Sequence, residues 1–176
     1  VLKVWDSAVR TLHWAVVGAV AAAALSVFWF GGIHEGAGYL ALAAVGLRVL
    51  WGVFGSRYAR FGQFVRTPSA TLDYARRVWA RREPRYLGHN PLGGWMVLAL
   101  MGCVTGLAVS GWLYRSDRFW GDETVEAVHR ALAWVLLGLF GLHLVGVVFT
   151  SRRHRENLVR AMLNGRKRSP APGDVV

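Results

Sequence analysis

Two histidines, His129 and His143, stand fourteen residues apart within one apolar stretch, 125–149. Neutral imidazole is a good ligand for iron and other transition metals. Fourteen residues are just under four helical turns, so on a helix both rings lie on nearly the same face, about 21 Å apart along the axis. That is too far to share a metal ion, yet within a hydrocarbon core about 30 Å thick. The spacing suits two flat, metal-bearing cofactors stacked across a bilayer. Two further histidines, His13 and His34, lie in or beside other apolar stretches.

The elements that must hold these rings are legible as four apolar segments, 9–30, 36–54, 92–113 and 125–149. Each is about 20 residues, long enough to span a membrane as a helix. With 54% hydrophobic residues in a chain of 176, this predicts an all-α integral membrane four-helix bundle with short cytoplasmic interfacial helices. The first segment carries a histidine and leads into another span, so it reads as a retained helix rather than a cleavable leader. Cys103 is the one cysteine, which leaves no disulfide within the chain. No C-x-x-C-H motif offers covalent haem attachment.

The net charge of +11 is unevenly placed. Residues 57–85 carry eight arginines against Asp73 and Glu83, and the chain after Thr150 carries seven basic residues against Glu156 and Asp174. The turn 31–35 has no Lys or Arg, and the loop 114–126 sets Arg115 and Arg118 against Asp117, Asp122, Glu123 and Glu126. By the positive-inside rule both termini and the long middle loop are cytoplasmic. The arginines flank spans, where they meet anionic lipid, so the charge reads as membrane topology and not as nucleic-acid binding.

Local signals fill in the connections. Asp6 or Ser7 can cap the first helix, Gly31-Gly32 can turn the chain, and the second helix is expected to start near His34. Thr67-Pro68 opens a short helix to about Arg82. Its stripe of Leu72, Ala75, Val78 and Trp79, flanked by arginines, suits a helix on the inner membrane surface, against the alternative of a solvated basic loop. Asn90-Pro91 starts the third span, where Gly102 and Gly106 form a small-xxx-small contact; without a histidine, this helix reads as support. Asp122 or Thr124 caps the fourth. Leu158, Ala161 and Met162 mark a second short amphipathic helix closed by Gly165. Residues 1–165 thus form one domain, and 166–176 a basic, Pro-containing tail expected to be disordered.

Topology sorts the histidines into two levels: His13 with His143 near the inner surface, and His34 with His129 near the outer. Two levels of two imidazoles predict two six-coordinate b-type haems, with His13, His34, His129 and His143 as iron ligands and no open site for dioxygen. The competing reading is a haem-free bundle whose histidines bond between helices. On the second helix His34, Gly38, Ala41, Val45, Arg48 and Gly52 share one face, and the small residues leave room for a macrocycle. Arg48, with Arg10, can neutralise propionates of the inner haem; the alternative is snorkelling to the surface. Arg130 can serve the outer haem or reach headgroups. His89, where the loop re-enters the membrane, can pass protons to a quinone or bond local backbone as a turn residue. His154, among arginines, reads as part of the lipid-facing cluster.

The chain resembles the bacterial cytochrome b561 family, close to the b-type cytochrome subunits of nickel–iron hydrogenases. The resemblance rests on Val4-Trp5-Asp6 through Leu12-His13-Trp14, His34-Glu35-Gly36-Ala37-Gly38-Tyr39, Arg48-Val49-Leu50-Trp51-Gly52 and Gly55-Ser56-Arg57-Tyr58-Ala59-Arg60-Phe61. It continues through Gly88-His89-Asn90-Pro91-Leu92-Gly93, His143, and His154-Arg155-Glu156-Asn157-Leu158. It covers nearly all of the chain before the tail. It implies a dihaem four-helix protein of the bacterial inner membrane, with two haem b, that exchanges electrons between quinone or quinol and a periplasmic redox partner. The ligand pairing it implies agrees with the pairing from topology. Hydrogenase subunits are typically longer, so a cytochrome c or similar partner is expected over a hydrogenase. Some members resemble superoxide oxidases that reduce quinone, for which Arg115, Arg118 and Arg130 could attract the anion.

Overall fold

A computed structural model describes residues 1–27 and 31–176. Among the described residues the chain is all-α apart from one two-stranded ribbon. The helices are α1 (Ser7–Ser26), α2 (Gly31–Phe54), α3 (Phe61–Phe64), α4 (Pro68–Trp79), α5 (Pro91–Arg115), α6 (Glu123–Arg153) and α7 (Leu158–Asn164). The ribbon is β1 (Leu2–Lys3) and β2 (Arg166–Lys167). Helices α1, α2, α5 and α6 are the four expected spans, each long and apolar enough to cross a membrane. Their outer surfaces are covered with exposed Leu, Val, Trp and Phe, and α6 buries none of its residues. Such a surface suits lipid, where the helix satisfies its own backbone.

Helix ends follow local chemistry. The Asp6 carboxylate caps α1 by accepting from the Val9 N–H at 2.8 Å. Thr67 caps α4 ahead of Pro68, Asn90 accepts from the Gly93 N–H at the start of α5, and Asp122 accepts from the Thr124 and Val125 N–H groups at the start of α6. Helix α2 starts earlier than expected, with Gly31 and Gly32 helical; residues 28–30, at the end of the first expected span, lie outside the described residues.

The chain forms two compact units. The first comprises Val1–Arg10, Leu50–Leu98 and Leu142–Val176, the second Thr11–Val49 and Ala99–Gly141. In the second unit all four long helices share a core: Ala19, Ala41, Val45 and Val104 are buried, with Val16, Val20, Met101 and Leu136 against them. Helices α5 and α6 come close because α5 presents small residues. A Cβ on Gly106 would lie 3.2 Å from Leu132 Cδ1, and the Cys103 thiol donates to the Leu132 carbonyl at 3.4 Å. Gly102 faces open space, so the close approach runs along Cys103 and Gly106 rather than along the glycine pair.

In the first unit, Val4, Trp5, Val9, Tyr58, Ala59, Leu87 and Ala161 form the core. Asp6 gathers α2 to α1: its second carboxylate oxygen accepts from the Trp51 indole at 3.1 Å and from the Ser56 hydroxyl. Burial would raise this carboxyl, but the Ser56, Val9 and Trp51 donors hold it below its ordinary value. Helix α7 is capped by Asn157 and ends on Gly165 in the left-handed conformation (φ 77°). A Cβ there would run into the Trp5 carbonyl, so glycine is required twice over. The Leu72 and Trp79 side chains of α4 are exposed, Trp79 at 92%, which leaves the apolar stripe available to lipid.

The segment from 166 onward, expected to be disordered, is held in place. Strand β2 pairs antiparallel with β1, Leu2 opposite Lys167 and Lys3 opposite Arg166, and Val175 bridges to Tyr86. The reason is electrostatic. Arg85, 5% exposed, donates to Glu156 at 2.7 Å, to Asp174 at 2.5 Å and to the Arg168 carbonyl at 3.0 Å. Lys167 completes the cluster, 3.7 Å from Glu156. Burial would raise Glu156 and Asp174, but the Arg85 and backbone donors hold both below the usual carboxylate range.

Removing Arg85 strands two nearly buried carboxylates, so Arg85→Ala should cost about 3–5 kcal/mol, read as a lower melting temperature in detergent. Burial, opposed by Glu156, lowers the Lys167 ammonium to about 8. Its charged form therefore burdens the fold below pH 8, and the burden lifts as pH rises from about 8 towards the ordinary value of 10.5. Stability should rise with pH across that window in the wild type, and Lys167→Met should flatten the rise, measured by thermal melts at stepped pH.

Candidate functional site

His34 on α2 and His129 on α6 face each other inside the second unit, ring centres 6.1 Å apart and planes at 69°. With about 2 Å for a metal–nitrogen bond and about 1.1 Å from nitrogen to ring centre, two imidazoles on opposite sides of one ion stand about 6.2 Å apart. The observed separation fits one ion between the rings. Among the described residues no group of three or more His, Cys, Asp and Glu side chains could hold a metal ion. Gly38, one helical turn after His34, has nothing within 4 Å of where its Cβ would stand, which leaves space for a planar group.

Hydrogen bonds fix which nitrogen of each ring is free to coordinate. His34 Nδ1 lies 2.9 Å from the Ala23 carbonyl in the last turn of α1. A carbonyl only accepts, so Nδ1 carries the proton and Nε2 keeps its lone pair. His129 Nδ1 lies 2.9 Å from the Ser110 hydroxyl of α5. That hydroxyl spends its proton on the Leu107 carbonyl at 3.1 Å, so it accepts from His129 Nδ1–H, and again Nε2 is free. Gly111 makes the approach possible: a Cβ there would be 3.3 Å from His129 Cε1. Two imidazoles this close, each with an Nε2 lone pair, have the chemistry that could hold a haem iron.

The family model for prokaryotic cytochrome b561 matches residues 4–165. The chain belongs to the prokaryotic cytochrome b561 family. It is therefore a membrane electron-transfer protein of the b-type haem class. No curated protein and no solved structure matches it.

The other residues expected at the site are distributed over both units. His13 lies on α1 in the second unit, edge-on to Trp14 at 5.2 Å, and His143 lies half-buried on α6 in the first unit. Arg48 on α2 is 8% exposed, so its guanidinium lies among protein groups and does not reach the surface. Arg10 donates to the Leu163 carbonyl and, at 3.4 Å, to the Asp6 carbonyl, which ties α1 to α7. Arg130 is exposed and pairs with Glu126 one turn earlier at 3.4 Å. His89 is enclosed between the Trp5 and Phe64 rings, each 4.7 Å away, so packing of the re-entry loop accounts for its position. His154 is half-buried, and burial, ahead of its charged neighbours, lowers its pKa.

Ser110 is the site residue that the sequence reading missed. The third helix has no histidine to mark it, but a hydroxyl in a span needs a partner, and its helical register with Cys103 and Gly106 puts it on the seam with α6. Overfilling this seam should loosen the cofactor. Gly111→Val drives a branched side chain at the His129 ring at a cost of about 1–3 kcal/mol. Haem per chain should fall, read by pyridine haemochrome, whereas Gly102→Val, at an open position, should leave it unchanged.

Proposed function

We propose that the chain carries electrons across a bacterial inner membrane through two b haems, between the quinone pool and a periplasmic redox partner such as a cytochrome c. The observation that carries the reading is the His34–His129 pair, spaced for one iron with both Nε2 atoms free to coordinate. These two hold the outer haem; His13 and His143 hold the inner one. Support for the second level comes from register. His143 follows His129 by fourteen residues on one continuous helix, and Arg48 follows His34 by the same number on another. When bound between two imidazoles, haem b supplies one-electron chemistry with no open coordination position.

The chain's own residues then divide the remaining tasks. Arg48, buried in the helical core, is matched to a propionate carboxylate, with Arg10 as a second cation nearer the helix start. Quinone reacts on the inner side, where His89 and its aromatic neighbours wall the loop. Asp117, Asp122, Glu123 and Glu126 give the outer edge an acidic rim that favours a basic protein partner. Two of the three arginines that could attract superoxide are already paired with acids, Arg115 with Glu35 at 3.4 Å and Arg130 with Glu126. That balance favours a protein partner over a small anion. The arginine-rich segments support, by the positive-inside rule, a cytoplasmic side for both termini and the 57–85 loop.

A reduced-minus-oxidised spectrum with pyridine haemochrome quantification tests the reading. Purified wild type should hold two b haems per chain, and His143→Ala and His129→Ala should each hold one. Wild-type protein that stays colourless after reconstitution with excess haem would sink it, as would both variants keeping two.

A further inference from the structure

We propose that Ser110 is a positioning residue that sets the reduction potential of the outer haem through His129. The inference rests on the ligand reading above and goes beyond it. Ser110 is 6% exposed and stands on α5, which provides no haem ligand. Its hydroxyl donates to Leu107 O at 3.1 Å, so its lone pair faces His129 Nδ1–H at 2.9 Å. This direction matters. An acceptor on Nδ1–H draws the proton away from the ring, makes Nε2 a stronger donor to iron, and favours the ferric state.

The two axial rings are supported unequally. His34 leans on the Ala23 carbonyl, a backbone acceptor that no side-chain substitution removes, and that carbonyl also accepts from the Ser26 hydroxyl at 3.0 Å. His129 leans on the Ser110 hydroxyl as well as on the Leu107 backbone, so part of its support is a side chain that substitution can remove. The seam is built to hold that side chain in place: Gly111 admits the ring beside it, and the backbone bond to Leu107 fixes the hydroxyl rotor. Sequence change at position 110 can therefore tune the haem without disturbing its ligands.

Redox titration of the purified holoprotein in detergent, read in the haem α-band, tests this. Ser110→Ala should keep both haems and shift one of the two midpoint potentials upward, so that the ferrous-to-ferric ratio of that haem at fixed ambient potential rises severalfold. The other potential should stay put. The ferric spectrum should remain low-spin bis-imidazole, and Ser110→Thr, which restores a hydroxyl, should return the potential towards wild type. Unmoved potentials in Ser110→Ala at full haem content would overturn the proposal, as would an equal shift in Ser110→Thr. If Ser110→Ala loses haem, Ser110→Cys is titrated instead; its weaker sulfur acceptor should give a smaller upward shift, and no shift overturns the proposal. Failure of the ligand reading is separately visible, as His129→Ala retaining both haems.

Discussion

An imidazole N–H buried in a hydrocarbon layer has no water to bond, and leaving it unmade costs more than most single contacts in the protein supply. That constraint organises the second unit. His34 can sit at its position because the last turn of α1 offers the Ala23 carbonyl, and His129 because α5 offers the Ser110 hydroxyl. Each bond fixes a ring, and each fixed ring turns its other nitrogen towards the space between α2 and α6. The small residues of α5, Cys103, Gly106 and Gly111, follow from the same need: without them α6 could not approach closely enough for Ser110 to reach His129.

The first unit solves a different problem. Here polar groups are dense and several are buried, so they are satisfied by convergence on a few hubs. Asp6 serves the start of α1, Trp51 and Ser56 together. Arg85 serves Glu156, Asp174 and the Arg168 carbonyl. Many of the residues that carry the family resemblance fall here, including Trp5, Asp6, Trp51, Ser56, Tyr58 and Glu156, and the structure gives them a mechanical reason. They tie the chain segments of this unit to one another through hydrogen bonds and ion pairs.

Much of this was legible in the sequence because the signals are local. Apolar length reveals a span, and Thr67-Pro68, Asn90-Pro91 and Gly165 reveal helix ends from their own side chains and dihedrals. The proximity of His34 and His129 was legible too, since alternating spans bring residues to matching depths. What escaped depends on partners distant in sequence. Ser110 looks like any small residue until α6 is beside it. The cluster around Arg85 joins residues 71 and 89 positions away, so its charges looked solvated and the segment after 165 looked free. Gly102 and Gly106 carry the same motif, but only a neighbour distinguishes the one in contact from the one in open space.

The pairing of Leu2 with Lys167 has a bearing on biogenesis. The partners are 165 residues apart, with all four spans between them. A ribosome releases the first strand long before the second exists, so the ribbon cannot close during insertion of the early helices. It can form only once α6 has been threaded and α7 has emerged. The newborn protein thus passes through a stage in which its hydrophobic helices are embedded while the edge of β1 still lacks its partner strand.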